Sequence, residues 1–186
     1  MKTAIIGGIG SGKSHITKLI NSLGYTTYNC DELYREITQT QEYIDIIETN
    51  FPGTVINNSI DRKVLGNIVF SNYEKLELLN SIAKPFIMNK INSLNLVNDV
   101  FIEVPVFIGS GLENNFFYKV ILVEAPMNLR IKRIKTRDNR SLDEIKKIIK
   151  AQPIDDDLRK YATDIIMNDT NDKALLDRVK DIIKNH

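Results

Sequence analysis

The chain has 186 residues, 42% hydrophobic and 26% charged, enough for one compact domain with a small insertion. Its 25 Lys and Arg against 24 Asp and Glu leave a net charge of +1, which supplies no overall pull toward nucleic acid or an anionic membrane. One cysteine excludes an internal disulfide framework and a four-cysteine zinc site, and two histidines, one of them His186, argue against a histidine-based metal site.

Short apolar runs alternate with amphipathic segments, the pattern of a parallel α/β sheet. Thr3 to Ile6 reads as a buried strand. Gly7 and Gly8 stop its apolar run too early for a signal peptide, and no run of about 18 apolar residues occurs, so a cytoplasmic chain is expected. Ile16, Leu19, Ile20 and Leu23 recur at helical spacing from Lys13 onward, and Gly24 supplies a stop. Tyr25 to Asn29 reads as a second strand. From Glu32 to about Asn95 the pattern is mostly helical, broken by the turn Phe51-Pro52-Gly53. Asp61 is placed to cap a helix carrying Val64, Leu65, Ile68 and Val69, and Pro85 is expected to end or kink the next one.

Val100 to Val104 and Val120 to Val123 read as the third and fourth strands, and Met127 to Thr136 as a helix. Arg137-Asp138-Asn139-Arg140 is a polar turn, after which Ser141-Leu142-Asp143-Glu144 fits a capping box. Asp164 to Met167 is a last short strand, and Leu175, Leu176, Val179, Ile182 and Ile183 mark the final helix. The stretch joining the second and third strands is far longer than a crossover requires. The expected division is therefore one domain with a core of 1–31, 96–136 and 154–186, a helical substrate-binding insertion of 32–95 and a lid of 137–153.

Gly7-Gly8-Ile9-Gly10-Ser11-Gly12-Lys13-Ser14 matches G-x-x-x-x-G-K-[ST], between a predicted strand and a predicted helix. The glycines let the loop curl so that N–H groups over Gly8, Gly10, Ser11 and Gly12 can face phosphate oxygens, at the positive end of the following helix. Lys13 is expected to reach the β- and γ-phosphates of ATP, and the Ser14 hydroxyl to ligate Mg²⁺. His15, in the first turn of that helix, is grouped with the loop. The N/T-K-x-D guanine signature is absent. A small chain with a helical insertion and a late arginine-bearing segment looks instead like a kinase for a small acceptor.

Further residues fall into a family pattern, in order along nearly the whole chain. After the loop come Asp31 at the end of the second strand, Asp61-Arg62-Lys63-Val64-Leu65 with Val69-Phe70, and Lys84-Pro85-Phe86-Ile87. They are followed by Glu103-Val104-Pro105, Lys132-Arg133 with Arg137, Ala151-Gln152, and Ala162, Ile166 and Asn168. In these features the chain resembles the dephospho-coenzyme A kinase family. The resemblance implies a P-loop kinase with a five-stranded parallel sheet, a helical substrate domain and a lid. It implies transfer of the γ-phosphate of ATP to the ribose 3′-hydroxyl of dephospho-coenzyme A, by a monomer without nucleic-acid or membrane partners.

Under that resemblance Asp31 is the catalytic base, although a helix cap explains the same position. Glu103, ending an apolar strand, joins the metal shell with Ser14. Arg133, Arg137 and Arg140 neutralise phosphate charge or stack on adenine, with Arg137 the leading candidate. Arg62 and Lys84 face the acceptor, and Asn168 hydrogen-bonds adenine. The chain departs from the family at Asn29-Cys30 in place of Asp-Ala, at Lys84 in place of His, at Gly109 in place of Glu, at Thr163 in place of Asp and at His15 in place of Ser or Thr. Most of these fall on the acceptor side. A nucleoside or deoxynucleoside monophosphate kinase, such as a phage enzyme, and a nucleotide-binding protein without turnover fit the same phosphate loop.

Overall fold

The computed structural model describes residues 1–94, 98–113, 115–152 and 155–184. In chain order the elements are β1 (Lys2–Ile6), α1 (Lys13–Ser22), β2 (Thr26–Asn29), α2 (Cys30–Ile37), α3 (Gln41–Asn50), β3 (Val55–Ile56), β4 (Ser59–Ile60), α4 (Arg62–Phe70) and α5 (Tyr73–Asn92). There follow β5 (Val100–Glu103), β6 (Lys119–Glu124), α6 (Met127–Asp138), α7 (Leu142–Lys150), α8 (Asp155–Arg159), β7 (Asp164–Met167) and α9 (Asp172–Lys184). They form two compact units, Met1–Asn29 with Leu96–His186, and Cys30–Asn95.

The first unit is built on a sheet of five parallel strands in the order β2-β5-β1-β6-β7. Parallel strands are covered on both faces and need continuous apolar runs. Ala4, Ile5, Ile6, Val100, Phe101, Ile102, Ile121, Leu122 and Val123 meet that need and are buried. Ile16 and Ile20 of α1 and Leu175, Val179 and Ile183 of α9 close over Ile5, Phe101, Ile121, Val123 and Ile166. Each such side chain contributes about 1.5–3 kcal/mol when fully buried. β1 lies in the middle. The chain first fills one side of it with β2 and β5, then the other with β6 and β7. Sheets of this kind bind ligands at the carboxyl ends of the strands, where the order reverses. The Gly7–Ser14 loop leaves β1 at that end.

The second unit packs Ile37, Tyr43, Ile47, Phe51, Leu65 and Val69 against one face of α5. Burial, and then the 2.8 Å hydroxyl–hydroxyl bond to Tyr34, push the Tyr43 phenol well above its ordinary range. Asp61 caps α4, accepting from the N–H groups of Lys63 at 2.9 Å and Val64 at 3.0 Å.

Four features differ from the sequence expectations. Pro85 lies inside α5, which runs unbroken from Tyr73 to Asn92. The ring sits on the exposed face, and Leu79, Ile82, Phe86 and Ile87 on the other face bind both halves to the core, outweighing one missing backbone bond. Within the insertion, β3 and β4 form a small antiparallel hairpin. Its turn residues Asn57 and Asn58 both take positive φ, the backbone of a type I′ turn that asparagine tolerates. The helix expected to stop at Thr136 continues to Asp138 and ends on Asn139 in the left-handed region, so Arg137 and Asp138 are helical. The short α8 had no counterpart in the periodicity. Among the described residues no helix is long and apolar enough to cross a membrane. Pro153, expected at the lid boundary, lies outside the described residues, as do Asn95 at the end of the insertion and Ile154 at the return to the core.

Candidate active site

The phosphate loop is held by its carbonyls. Lys13 donates through Nζ to the carbonyls of Gly7 at 2.7 Å and Gly8 at 3.4 Å. Arg130 donates through Nε to Ile9 at 2.9 Å. Arg133 donates to the carbonyls of Ser11 at 3.2 Å and Gly10 at 3.4 Å, and Asn168 donates to Ser11 at 2.8 Å. The N–H and C=O of a planar peptide point in opposite directions. Turning the run of carbonyls from Gly7 to Ser11 toward cations and an amide directs N–H groups to the other side of the loop; those of Ile9 and Ser11 are taken by Gln152 Oε1 and the Gly8 carbonyl, and an anion falls to the others.

Two glycines are required by this packing. A Cβ on Gly12, whose φ is 97°, would strike the Asn168 amide, and one on Gly8 would strike the Arg130 guanidinium. Asn168 is buried, and its side-chain oxygen accepts from Arg133 at 3.1 Å. Its amide therefore shapes the loop. Arg133 likewise braces the loop.

At the first turn of α1, the Ser14 hydroxyl donates to Glu103 Oε1 at 2.8 Å. Glu103 is buried at the carboxyl end of β5, beside β1 in the sheet. A hydroxyl and a carboxylate in contact are hard oxygen donors suited to Mg²⁺, which takes few protein ligands and completes its shell with water and phosphate oxygens. Among the described residues no group of three or more His, Cys, Asp and Glu side chains could hold a metal by itself. His15 Nε2 lies 3.1 Å from Asp172 Oδ1, so its partner is the start of α9.

Arg137 and Arg140 pair with Asp138. Arg137 is 64% exposed and donates to both oxygens of Asp138, at 2.6 and 2.8 Å, and Arg140 lies 3.9 Å from the same carboxylate. The hydrogen bonds from Arg137 hold the Asp138 carboxyl below the usual carboxylate range.

In the second unit a cavity of about 500 Å³ is lined by Asp31, Arg35, Arg62, Gly66 and Phe70, among others. Asp31 lies in the first turn of α2, and Arg62 donates to the Thr38 hydroxyl at 3.4 Å. Lys84 is exposed on α5 and is not among the lining residues. Sequence reasoning passed over Arg35, and it placed Phe70, which is 81% exposed, only in the family pattern. It also passed over Arg130, which is only 4% exposed. One signal was available: Arg130 and Ile134 are one helical turn apart on the buried stripe of α6, and an arginine in a buried stripe needs acceptors.

A glycine-lined phosphate loop at the switch point of a five-stranded parallel sheet, with a lysine and a serine–carboxylate pair, defines a P-loop phosphotransferase. A family model described as dephospho-CoA kinase matches residues 1–174, and the chain belongs to that family. The Fusobacterium nucleatum dephospho-CoA kinase is 31% identical over 185 residues, covering 97% of this chain and 95% of its own length. A solved structure from Thermus thermophilus superposes with a TM-score of 0.84 at 28% identity, covering 100% of this chain and 96% of that one. The Campylobacter jejuni dephospho-CoA kinase structure superposes at 0.72 and 30%, covering 100% and 97%. Shikimate kinases, at 13–18% identity, share the fold. The chain is thus an ATP-dependent phosphotransferase of coenzyme A biosynthesis.

Proposed function

We propose that the chain transfers the γ-phosphate of ATP to the ribose 3′-hydroxyl of dephospho-coenzyme A, as a cytoplasmic monomer. The observation that carries this is the Ser14–Glu103 contact at 2.8 Å beside the braced loop, in a chain of this family. The ATP requirement supports the cytoplasmic location.

Ser14 and Glu103 would hold Mg²⁺, which supplies neutralisation of phosphate charge when bound. Lys13 carries a cation at the mouth of the loop and stabilises charge on the transferring phosphoryl group. Asp31 accepts the proton of the acceptor hydroxyl, in a cavity it shares with Arg35 and Arg62, which are suited to the acceptor's diphosphate. Arg137 turns from Asp138 to the phosphoryl group when the lid of 137–153 closes and excludes water. The test is ADP release with dephospho-coenzyme A and, separately, with a panel of nucleoside monophosphates. Release with dephospho-coenzyme A alone is expected. A preference for any nucleoside monophosphate overturns the acceptor assignment.

A further inference from the structure

Ile9, in the middle of the phosphate loop, is held at both ends of its residue. Its N–H donates to Gln152 Oε1 at 2.8 Å, and its carbonyl accepts from Arg130 Nε at 2.9 Å. Arg130 in turn donates through Nη1 to Asp155, at 3.1 and 3.3 Å to the two carboxylate oxygens. Gln152 follows α7 directly and Asp155 opens α8. Two residues from the stretch that returns α7 to the core therefore fix one residue of the ATP-binding loop, one directly and one through a buried arginine.

Neither contact is explained by the stability of its own element. Gln152 lies beyond the last turn of α7, whose end is already bonded through the Ala151 N–H. Arg130 needs a carboxylate because it is buried, but its Nε is aimed at the loop, and Gly8 leaves the space its guanidinium occupies. A side-chain amide is well chosen for the Ile9 N–H, because it offers an acceptor oxygen without bringing a negative charge to an anion site.

We infer that Gln152 is a positioning residue for the ATP site, and that with Asp155 and Arg130 it latches the segment 142–152 to the phosphate loop. Displacing that segment pulls on the Ile9 N–H and so on the curvature of the loop that receives the phosphates. The position of α7 and the affinity for ATP are thereby coupled through one peptide. This rests on the phosphate loop binding ATP, but not on the identity of the acceptor.

The direct readout is residue-resolved amide exchange at Ile9, in the full chain without nucleotide. The Ile9 amide is expected to exchange slowly in the wild type and in Gln152→Glu, which keeps an acceptor oxygen, and at least about tenfold faster in Gln152→Ala. In steady state, Gln152→Ala is expected to lower kcat/KM for ATP by about fivefold to tenfold, the effect of one hydrogen bond, while KM for the acceptor stays within about twofold. Asp155→Asn should act on the same residue, through Arg130 and the Ile9 carbonyl, so the double variant should fall clearly short of the product of the two single effects. Equal exchange at Ile9 in wild type and Gln152→Ala overturns the latch. So does a loss that affects both substrates alike together with a lowered melting temperature, because that is a stability effect. If the wild type turned over no dephospho-coenzyme A, the acceptor assignment would fail, while ATP titration and Ile9 exchange would still decide the latch.

Discussion

At the scale of single residues, the site depends on where a few charges are anchored. Lys13 is tied to the carbonyls of Gly7 and Gly8, so its cation sits over the loop before any phosphate arrives. Electrostatic help that is already in place costs no reorganisation during the reaction. Lys13→Ala is expected to lower kcat by about 10²-fold or more, with the melting temperature close to wild type; ADP release and a thermal melt check both halves. Asp31 presents its carboxylate in a cavity that also holds Arg35 and Arg62. Asp31→Asn preserves the shape and removes the basicity, so a kcat loss of roughly 10²-fold is expected with a smaller change in KM for ATP. A near-normal kcat in this variant would leave Asp31 as a first-turn residue of α2 and nothing more.

At the scale of elements, the proposed lid turns on α7 and its approaches. The helix is opened by a capping box in which Ser141 donates through its hydroxyl at 2.7 Å and its N–H at 2.9 Å to Glu144, and the Glu144 N–H donates back at 3.3 Å. The Ser141 hydroxyl, then its N–H, lower the Glu144 carboxyl below its ordinary range. A carboxyl lowered by folding contributes stability that is complete above its unfolded pKa of about 4.3 and is lost as pH falls through the folded value. The difference in urea midpoint between wild type and Glu144→Gln should therefore be present at neutral pH and close below about pH 4. The segment 137–152 carries the exposed Arg137, Asp138 and Arg140 cluster on one side and the Gln152 contact on the other. Its backbone amides are expected to gain protection from exchange when ATP and dephospho-coenzyme A bind together, since closure orders the lid. Unchanged exchange there would remove the lid from the mechanism.

At the scale of the whole molecule, the sheet puts two distant parts of the sequence into one site. Asn29, Ile5 and Glu103 stand side by side in the register of β2, β1 and β5, and this brings a carboxylate to a serine 89 positions away. Anything that binds the folded chain alone stabilises it by mass action, by about 2.7 kcal/mol at 100 times Kd. ATP with Mg²⁺ is therefore expected to raise the melting temperature more than ATP with a chelator. In Glu103→Gln that difference should shrink toward zero, which a thermal melt with and without the chelator measures.

The phosphate loop was legible in the sequence because its chemistry is local: glycines, a lysine and a serine at fixed spacing, between a strand and a helix. The central strands β1, β5 and β6 were legible for a similar reason, since a strand buried on both faces must be a run of apolar residues. The Ser141 capping box was legible from spacing alone. What holds the loop was not. Arg130 and Gln152 reach Ile9 from more than 120 positions along the chain, and no periodicity records which buried arginine meets which carbonyl. Asn168 illustrates the same limit. Its position near a strand end pointed to the nucleotide base, and no spacing in the sequence announces the buried contact with Ser11 that also ties it to the loop. Pro85 marks the boundary between local and tertiary control. Propensity alone breaks a helix there, and the apolar face of α5 packed on the insertion core keeps it whole. Local chemistry thus determined that the chain binds phosphate and where. The packing of α6, α7 and α8 onto the loop, which depends on contacts distant in sequence, decided how that binding is held in shape.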